Sequence, residues 1–186
     1  MVPMLIVAGA LVVLVLFVMS SYNGLVALRE QVRSAWAQID VLLKRRYDLI
    51  PNLVETVRGY AAHEKETLAA VIAARNQAVA VSGNPAQAAQ AEGALSGALR
   101  QLFAVVEAYP DLKANTGFLE LQHELTSTEN GIGQNRQFYN SLVASYNTAI
   151  LSFPSNLIAG PFGFHPQAFF EVQDAAQREA PVVKFT

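Results

Sequence analysis

The sequence predicts an all-α fold: an N-terminal transmembrane helix continuing into an antiparallel four-helix bundle of long helices, followed by an irregular aromatic C-terminal segment. Three observations predict it. The stretch from Met1 to Met19 carries no charge. From Leu25 apolar residues recur at alternating spacings of three and four, the period of one helix face. Strand-like alternation is nearly absent before the tail. The expected domains are residues 1–21 for the anchor, 22–153 for the bundle, and 154–186 for the C-terminal segment, packing near the membrane end.

The anchor comes first. Leu5, Ile6, Val7, the run from Leu11 to Phe17, and Val18 are its bulky members. About 19 helical residues span roughly 28 Å, close to the hydrocarbon thickness of a bilayer. No basic segment precedes this stretch, and no small-x-small cleavage site precedes the charged helix. A retained single-pass anchor is therefore expected rather than a cleaved signal peptide. Tyr22 falls where aromatic rings prefer the interface. Arg29 and Arg33, then Lys44, Arg45 and Arg46, all follow the anchor. The positive-inside tendency places the body in the cytoplasm, at a bacterial inner membrane.

The first bundle helix carries Leu25, Leu28, Val32, Ala35, Ile39 and Leu42 as a heptad seam, widened by Trp36 and Leu43. Pro51 costs about 3 kcal/mol in a helix interior but almost nothing in a first turn. A tight connection is therefore expected at residues 48–50, with a second helix starting near Pro51; a continuous kinked helix is the alternative. The second stripe reads Leu53, Val57, Ala61, Glu64, Leu68, Val71, Arg75 and Ala78, ending near Ser82-Gly83-Asn84-Pro85. A third helix over about 86–108 shows Leu95, Leu99, Leu102, Val105 and Val106. The fourth begins at Asn115 or Thr116, either a reasonable N-cap. Its stripe runs Phe118, Leu121, Leu125, Thr128, Ile132, Arg136, Tyr139, Val143, Tyr146 and Ile150, and Pro154 closes it. Four amphipathic helices with short connections bury their stripes best as an up-down-up-down bundle. The Gly/Pro-punctuated stretch from Ile158 to Pro166, with Phe169-Phe170 after it, is too irregular for a helix and too apolar for a free tail. Phe162, Phe164, Phe169 and Phe170 are therefore candidates for packing on the bundle base, or for contact with membrane or partner.

Composition excludes several classes. The 13 Lys+Arg against 15 Asp+Glu give a net charge of −2, so no basic stripe marks a nucleic-acid binder. With no cysteine there is neither a disulfide framework nor a thiolate site.

Ordered segments carry a family resemblance. They are Tyr22-Asn23-Gly24-Leu25-Val26, the run from Trp36 to Arg46, the run from Asp48 to Val54, Gly59-Tyr60-Ala61-Ala62-His63-Glu64, Ala74-Arg75 and the run from Tyr109 to Asn115. Leu119 to Asn130, Tyr139-Asn140, Tyr146-Asn147 and Phe153-Pro154 continue it. Through these residues the chain resembles the LemA family from Tyr22 to its end. The resemblance implies a membrane-anchored four-helix bundle with no established enzymatic activity. A relative in magnetotactic bacteria, implicated in magnetosome membrane formation, implies membrane organisation by analogy. One departure stands out: Gly131 and Gly133 follow Glu129-Asn130, where the family usually has a basic residue and an alanine. Each glycine costs a helix about 1 kcal/mol against alanine, so either the helix loosens there or another backbone approaches.

No constellation carries catalysis. Glu120 and His123 share a helix face, the spacing of carboxylate di-iron bundles, but such sites need that motif twice. With three histidines in all and no second such motif, no metal or other cofactor is expected, even counting His63 and Glu64. No nucleophile elbow or phosphate-cradling loop is present. Polar residues on the stripes are more informative. Glu64, Arg75, Glu129 and Arg136 fall on or beside core positions, where a charge must pair; Glu64 or Glu129 with Arg75 or Arg136 are the candidate pairs. Asp40, Lys44, Arg46 and Asp48, with Tyr109, Asp111 and Lys113, suggest a polar membrane-distal cap. Tyr22-Asn23, Tyr139-Asn140 and Tyr146-Asn147 suggest a cluster at the membrane end, suited to structural latching at a half-wet base.

The expected function is a membrane-anchored scaffold or adaptor without catalytic activity, self-assembling and organising or shaping membrane. Its expected partners are the lipid bilayer, further copies of itself and another membrane protein. The alternative is an accessory subunit of an envelope protease or transporter, and the third choice a metal-dependent bundle enzyme.

Overall fold

The computed structural model describes residues 1–171, and these are all-α with no strand. The helices are α1 (Val2–Tyr60), α2 (Lys65–Ala80), α3 (Pro85–Val106), α4 (Pro110–Lys113), α5 (Thr116–Leu151) and α6 (Asn156–Ala159). The predicted C-terminal segment is therefore seen as far as Glu171, and its remainder lies outside the described residues.

The main correction concerns the first connection. No break occurs at residues 48–50: α1 runs through Pro51 to Tyr60. Pro51 has no N–H to give the carbonyl of Tyr47, four residues back. Nε of Arg75, from α2, donates to that carbonyl instead, at 3.2 Å. The missing bond is replaced from outside the helix, so the helix need not end. The turn falls instead at residues 61–64, where the Glu64 amide donates to the Ala61 carbonyl at 3.1 Å. The expected second stripe thus straddles a turn: Leu53 and Val57 are buried near the end of α1, Ala61 in the turn just past it, and Leu68, Val71 and Ala78 in α2.

Local chemistry sets the later boundaries. Oδ1 of Asn84 accepts from the amides of Ala86 and Gln87 and caps α3, with Pro85 in its first turn. Oδ1 of Asn115 accepts from the Phe118 amide at 2.9 Å, opening α5 as expected of an N-cap. Helix α5 passes through Gly131 and Gly133 without a break. What approaches Gly131 is the Leu42 side chain rather than another backbone.

The chain divides into two compact units. The first comprises Met1–Gln38 and Asn135–Phe169. Its residues 1–17 are exposed, and the apolar N-terminal stretch of α1 is long enough to cross a membrane. Beyond it, Leu25, Val32 and Ala35 of α1 are buried, as are Tyr139, Val143, Tyr146 and Ile150 of α5. Trp36 meets Tyr139 with ring centroids 5.5 Å apart. Ile158, Ala159 and Phe164 are also buried.

The second unit comprises Ile39–Gln134 and, among the described residues, also Phe170 and Glu171. Ile39, Leu43, Ile50, Leu53 and Val57 of α1 share its core with Leu95 and Leu102 of α3 and Phe118 and Leu125 of α5. Here α1 and α5 run antiparallel: Arg45 pairs with Glu124 and Arg46 with Glu129, while Leu42 packs on Gly131.

Candidate functional site

Arg46 organises a polar cluster in the second unit. It lies on the inward stripe of α1 with Leu43, Ile50 and Leu53, at spacings of three and four, and is 1% exposed. Nη1 donates to Oε2 of Glu129 on α5. Nη2 donates to Oγ of Ser96 on α3 at 3.1 Å and lies 3.1 Å from Oε2 of Glu92, one turn earlier on the same helix. Tyr47 donates its hydroxyl to Oε1 of Glu92. With Arg75 on the Tyr47 carbonyl, residues of α1, α2, α3 and α5 meet in one network.

The electrostatics follow from burial. Taking a guanidinium and a carboxylate out of water costs several kcal/mol each unless they pair. Glu92, only 2% exposed, has its carboxyl pushed above the ordinary range by burial, with Glu129 adding to the rise and Arg46 and Tyr47 opposing it. Burial and the bond to Glu92 hold Tyr47 protonated far above the usual tyrosine range. Nε of Arg46 and Oε2 of Glu92 make no hydrogen bond, so the Arg46–Glu92 attraction acts through proximity rather than alignment. With Glu92 ionised, two carboxylates face one guanidinium; a proton on Glu92 balances them. The cluster can hold a proton and fix helix register, but its acid and its phenol are sealed from a substrate.

Other predicted residues are placed as follows. Oε1 of Glu64 accepts from the Tyr109 hydroxyl at 3.0 Å, while Arg136 is partly exposed on α5. The Glu64–Arg75 and Glu129–Arg75 pairings do not form. The turn at residues 61–64 takes Glu64 out of the helix interior, Arg75 is drawn to the carbonyl that Pro51 frees, and Glu129 goes to Arg46. Arg46 is not part of a solvated cap, although Asp40, Lys44 and Asp48 are exposed. His63, Glu120 and His123 are exposed, and among the described residues no three His, Asp or Glu side chains gather to hold a metal.

The predicted Tyr/Asn cluster lies in the first unit. The Tyr139 hydroxyl donates to the Ala168 carbonyl at 2.8 Å. Nδ2 of Asn147 donates to the Gln167 carbonyl at 2.9 Å, and Oδ1 accepts from the Gln167 amide at 2.8 Å. Two residues eight apart on α5 thus clamp the irregular backbone at 167–168. Tyr146 is buried with its hydroxyl unpaired. Burial raises its pKa, and the Arg29 charge lowers it in part. Tyr22 is at the surface and sets its ring edge-on to Phe162 and Phe164, at 5.2 and 5.6 Å. Asn23 is exposed and Asn140 partly buried. Of the four candidate phenylalanines, Phe164 and Phe170 are buried, while Phe162 and Phe169 are exposed.

Sequence reasoning missed Tyr47, Glu92 and Ser96, and misplaced Arg46. The signal was present: continuing the first stripe past Leu43 reaches Arg46, and continuing the third back from Leu95 reaches Glu92.

Comparison with known proteins gives the family and several relatives. The family model described as LemA family matches residues 35–185. The chain is 25% identical over 199 residues to the magnetosome protein MamQ of Magnetospirillum gryphiswaldense, covering 94% of this chain and 72% of that one. It is 26% identical to the magnetosome protein MamQ 2 of Paramagnetospirillum magneticum, covering 87% and 68% of the two chains. It is also 26% identical to protein LemA of Metamycoplasma hominis, covering 82% and 69%.

Proposed function

The chain belongs to the LemA family, and from that premise we propose that it is a membrane-anchored helical scaffold or adaptor with no catalytic site of its own. One observation carries the reading: a single uninterrupted helix, α1, supplies both the exposed apolar stretch and the buried stripe of the second unit. The apolar stretch and part of the helical body thus belong to one continuous helix. The relatives named as magnetosome proteins support a role in membrane organisation. Self-association through the anchor and the faces beside it lets a small protein act over a large area of membrane, with the body on the cytoplasmic side.

Crosslinking in native membranes, followed by purification, tests this. A ladder of homomeric products supports a self-assembling scaffold. Monomers alone overturn it, and one foreign protein at fixed stoichiometry favours an accessory subunit. Because the chain has no cysteine, single Val2→Cys and Ser127→Cys variants labelled with an impermeant maleimide report the side. Labelling of Val2→Cys in intact cells, with Ser127→Cys labelled only after lysis, is the expected result.

A further inference from the structure

We propose that the first unit makes a second, shallower membrane contact: an apolar foot, formed after α5, that enters the headgroup–acyl boundary of the leaflet where the anchor emerges. The proposal rests on the reading of residues 1–21 as a membrane span.

Within this unit Trp36 faces Tyr139, and Arg29 acts on Tyr146, so α5 descends antiparallel to α1. Carried on at the same register, Leu151 at the end of α5 falls level with Gly24. The chain then turns and brings Phe162 and Phe164 against Tyr22. Tyr22 is three residues past Met19, or about 4.5 Å along a helix. The whole turn therefore sits at the boundary of the apolar span.

In a soluble domain this turn would show polar side chains. Instead Leu151, Phe153 and Leu157 are 70%, 80% and 65% exposed, with Phe162 at 54%. They lie within twelve residues of one another, in the segment whose Phe162 ring meets Tyr22, three residues past the exposed Met19 of the anchor. An exposed apolar patch beside the end of a membrane span is covered by that same membrane. Charge supports this occupant. Arg29, its guanidinium 5.2 Å from the Phe164 ring centroid, and the largely exposed Arg33 stand about two and three turns beyond Tyr22, where juxtamembrane cations attract an anionic leaflet surface. The clamp of Tyr139 and Asn147 on residues 167–168 holds the far end of the segment to α5. The foot thus has a fixed position beside the anchor, and displaces lipid in one leaflet only.

Spin-label depth measurement on the full chain tests this. Single variants Phe153→Cys, Leu157→Cys, Val13→Cys and Ser127→Cys are labelled and reconstituted into vesicles of phosphatidylethanolamine and phosphatidylglycerol. Collision with dissolved oxygen is then compared with collision with a neutral nickel chelate. The expected result is oxygen several-fold favoured at 153 and 157, less strongly than at 13, and nickel favoured at 127. Nickel access at 153 and 157 equal to that at 127, with 13 still in lipid, overturns the foot and leaves the anchor intact. Exclusion of both reagents at 153 and 157 means that protein, a second copy or another chain, covers the patch, and also overturns it. Nickel access at 13 overturns the span and the foot together. Both tested foot positions are exposed, so neither substitution disturbs the core.

Discussion

Arg75 donates from Nε to the carbonyl oxygen of Tyr47 at 3.2 Å, and that carbonyl is the one Pro51 leaves without its helical partner. A side chain from α2 thus makes good a defect in α1. This relationship makes a prediction that a general packing role for Arg75 does not. Arg75→Met should cost about 1–2 kcal/mol, the range for leaving a buried acceptor unmade. In a Pro51→Ala background the backbone amide restored at position 51 takes over the carbonyl, and the same change should cost clearly less. A double-mutant cycle by denaturant unfolding in detergent measures the difference, and equal costs in the two backgrounds would rule out the capping role.

Arg46 is the only cation in contact with Glu92 among the described residues, so removing it strands a buried carboxylate. Arg46→Met should destabilise by about 3–5 kcal/mol. Arg46→Met combined with Glu92→Leu and Tyr47→Phe should recover most of that loss, since no buried charge or phenol is then left unpaired and the half-exposed Glu129 is free to be solvated. Thermal unfolding of the two variants decides it; a triple variant as unstable as the single would show that the cluster does more than satisfy itself.

The raised pKa of Glu92 fixes the sign of a pH effect. The folded state holds this proton more tightly than the unfolded chain. Stability from the group is therefore complete below the ordinary carboxylate pKa and is lost as pH rises towards the elevated folded value. Between the ordinary carboxylate range and that value, acidification should stabilise, against the usual trend for paired carboxylates. Glu92→Gln keeps an acceptor for Tyr47 and should flatten this limb. Unfolding free energies across mildly acidic to neutral pH, for wild type and variant, provide the measurement; parallel curves would mean that another group titrates.

The clamp on the C-terminal segment is separable from the core. Asn147→Ala removes the acceptor for the Gln167 amide and the donor to its carbonyl. Hydrogen exchange at Gln167 should accelerate while amides in the middle of α5 keep their protection. Tyr139→Phe should loosen the same segment by about 0.5–1.5 kcal/mol through the single bond to Ala168. Unchanged exchange at Gln167 in Asn147→Ala would show that apolar packing holds the segment instead.

Helix type and stripe membership were legible in the sequence because the heptad spacing is strong: Leu25, Val32, Ala35 and Ile39 are all buried. The first boundary was not, because proline is a local signal and its remedy is distant. Nothing within residues 48–52 announces that Arg75 reaches back. The charges were half legible for a related reason. A stripe read from apolar residues alone stops where a buried charge begins, which hid Arg46 and Glu92. Glu129 was found because its stripe has apolar residues on both sides. In the C-terminal segment, sequence identified the aromatics but not which face the bundle. Phe162 and Phe164 are two residues apart and divide between surface and core through the left-handed turn at Gly163, whose φ is 71°.

Gly131 and Gly133 make the final prediction, because they share a helix and differ in surroundings. A Cβ built on Gly133 meets nothing within 4 Å, while one on Gly131 lies 3.3 Å from Cδ1 of Leu42. Gly133→Ala should therefore deliver the full helix-propensity gain of about 1 kcal/mol. In Gly131→Ala the same gain is set against displacing Leu42. Leu42 is only partly buried and its end can swing by a few tenths of an ångström, so the net effect stays small. The order Gly133→Ala above Gly131→Ala in unfolding midpoint is the expected result. Adding Leu42→Ala removes the obstacle, so Gly131→Ala should gain as much in that background as Gly133→Ala does in the wild type. If Gly131→Ala is instead strongly destabilising and Leu42→Ala does not relieve it, a close approach by something other than this side chain sets the need for glycine.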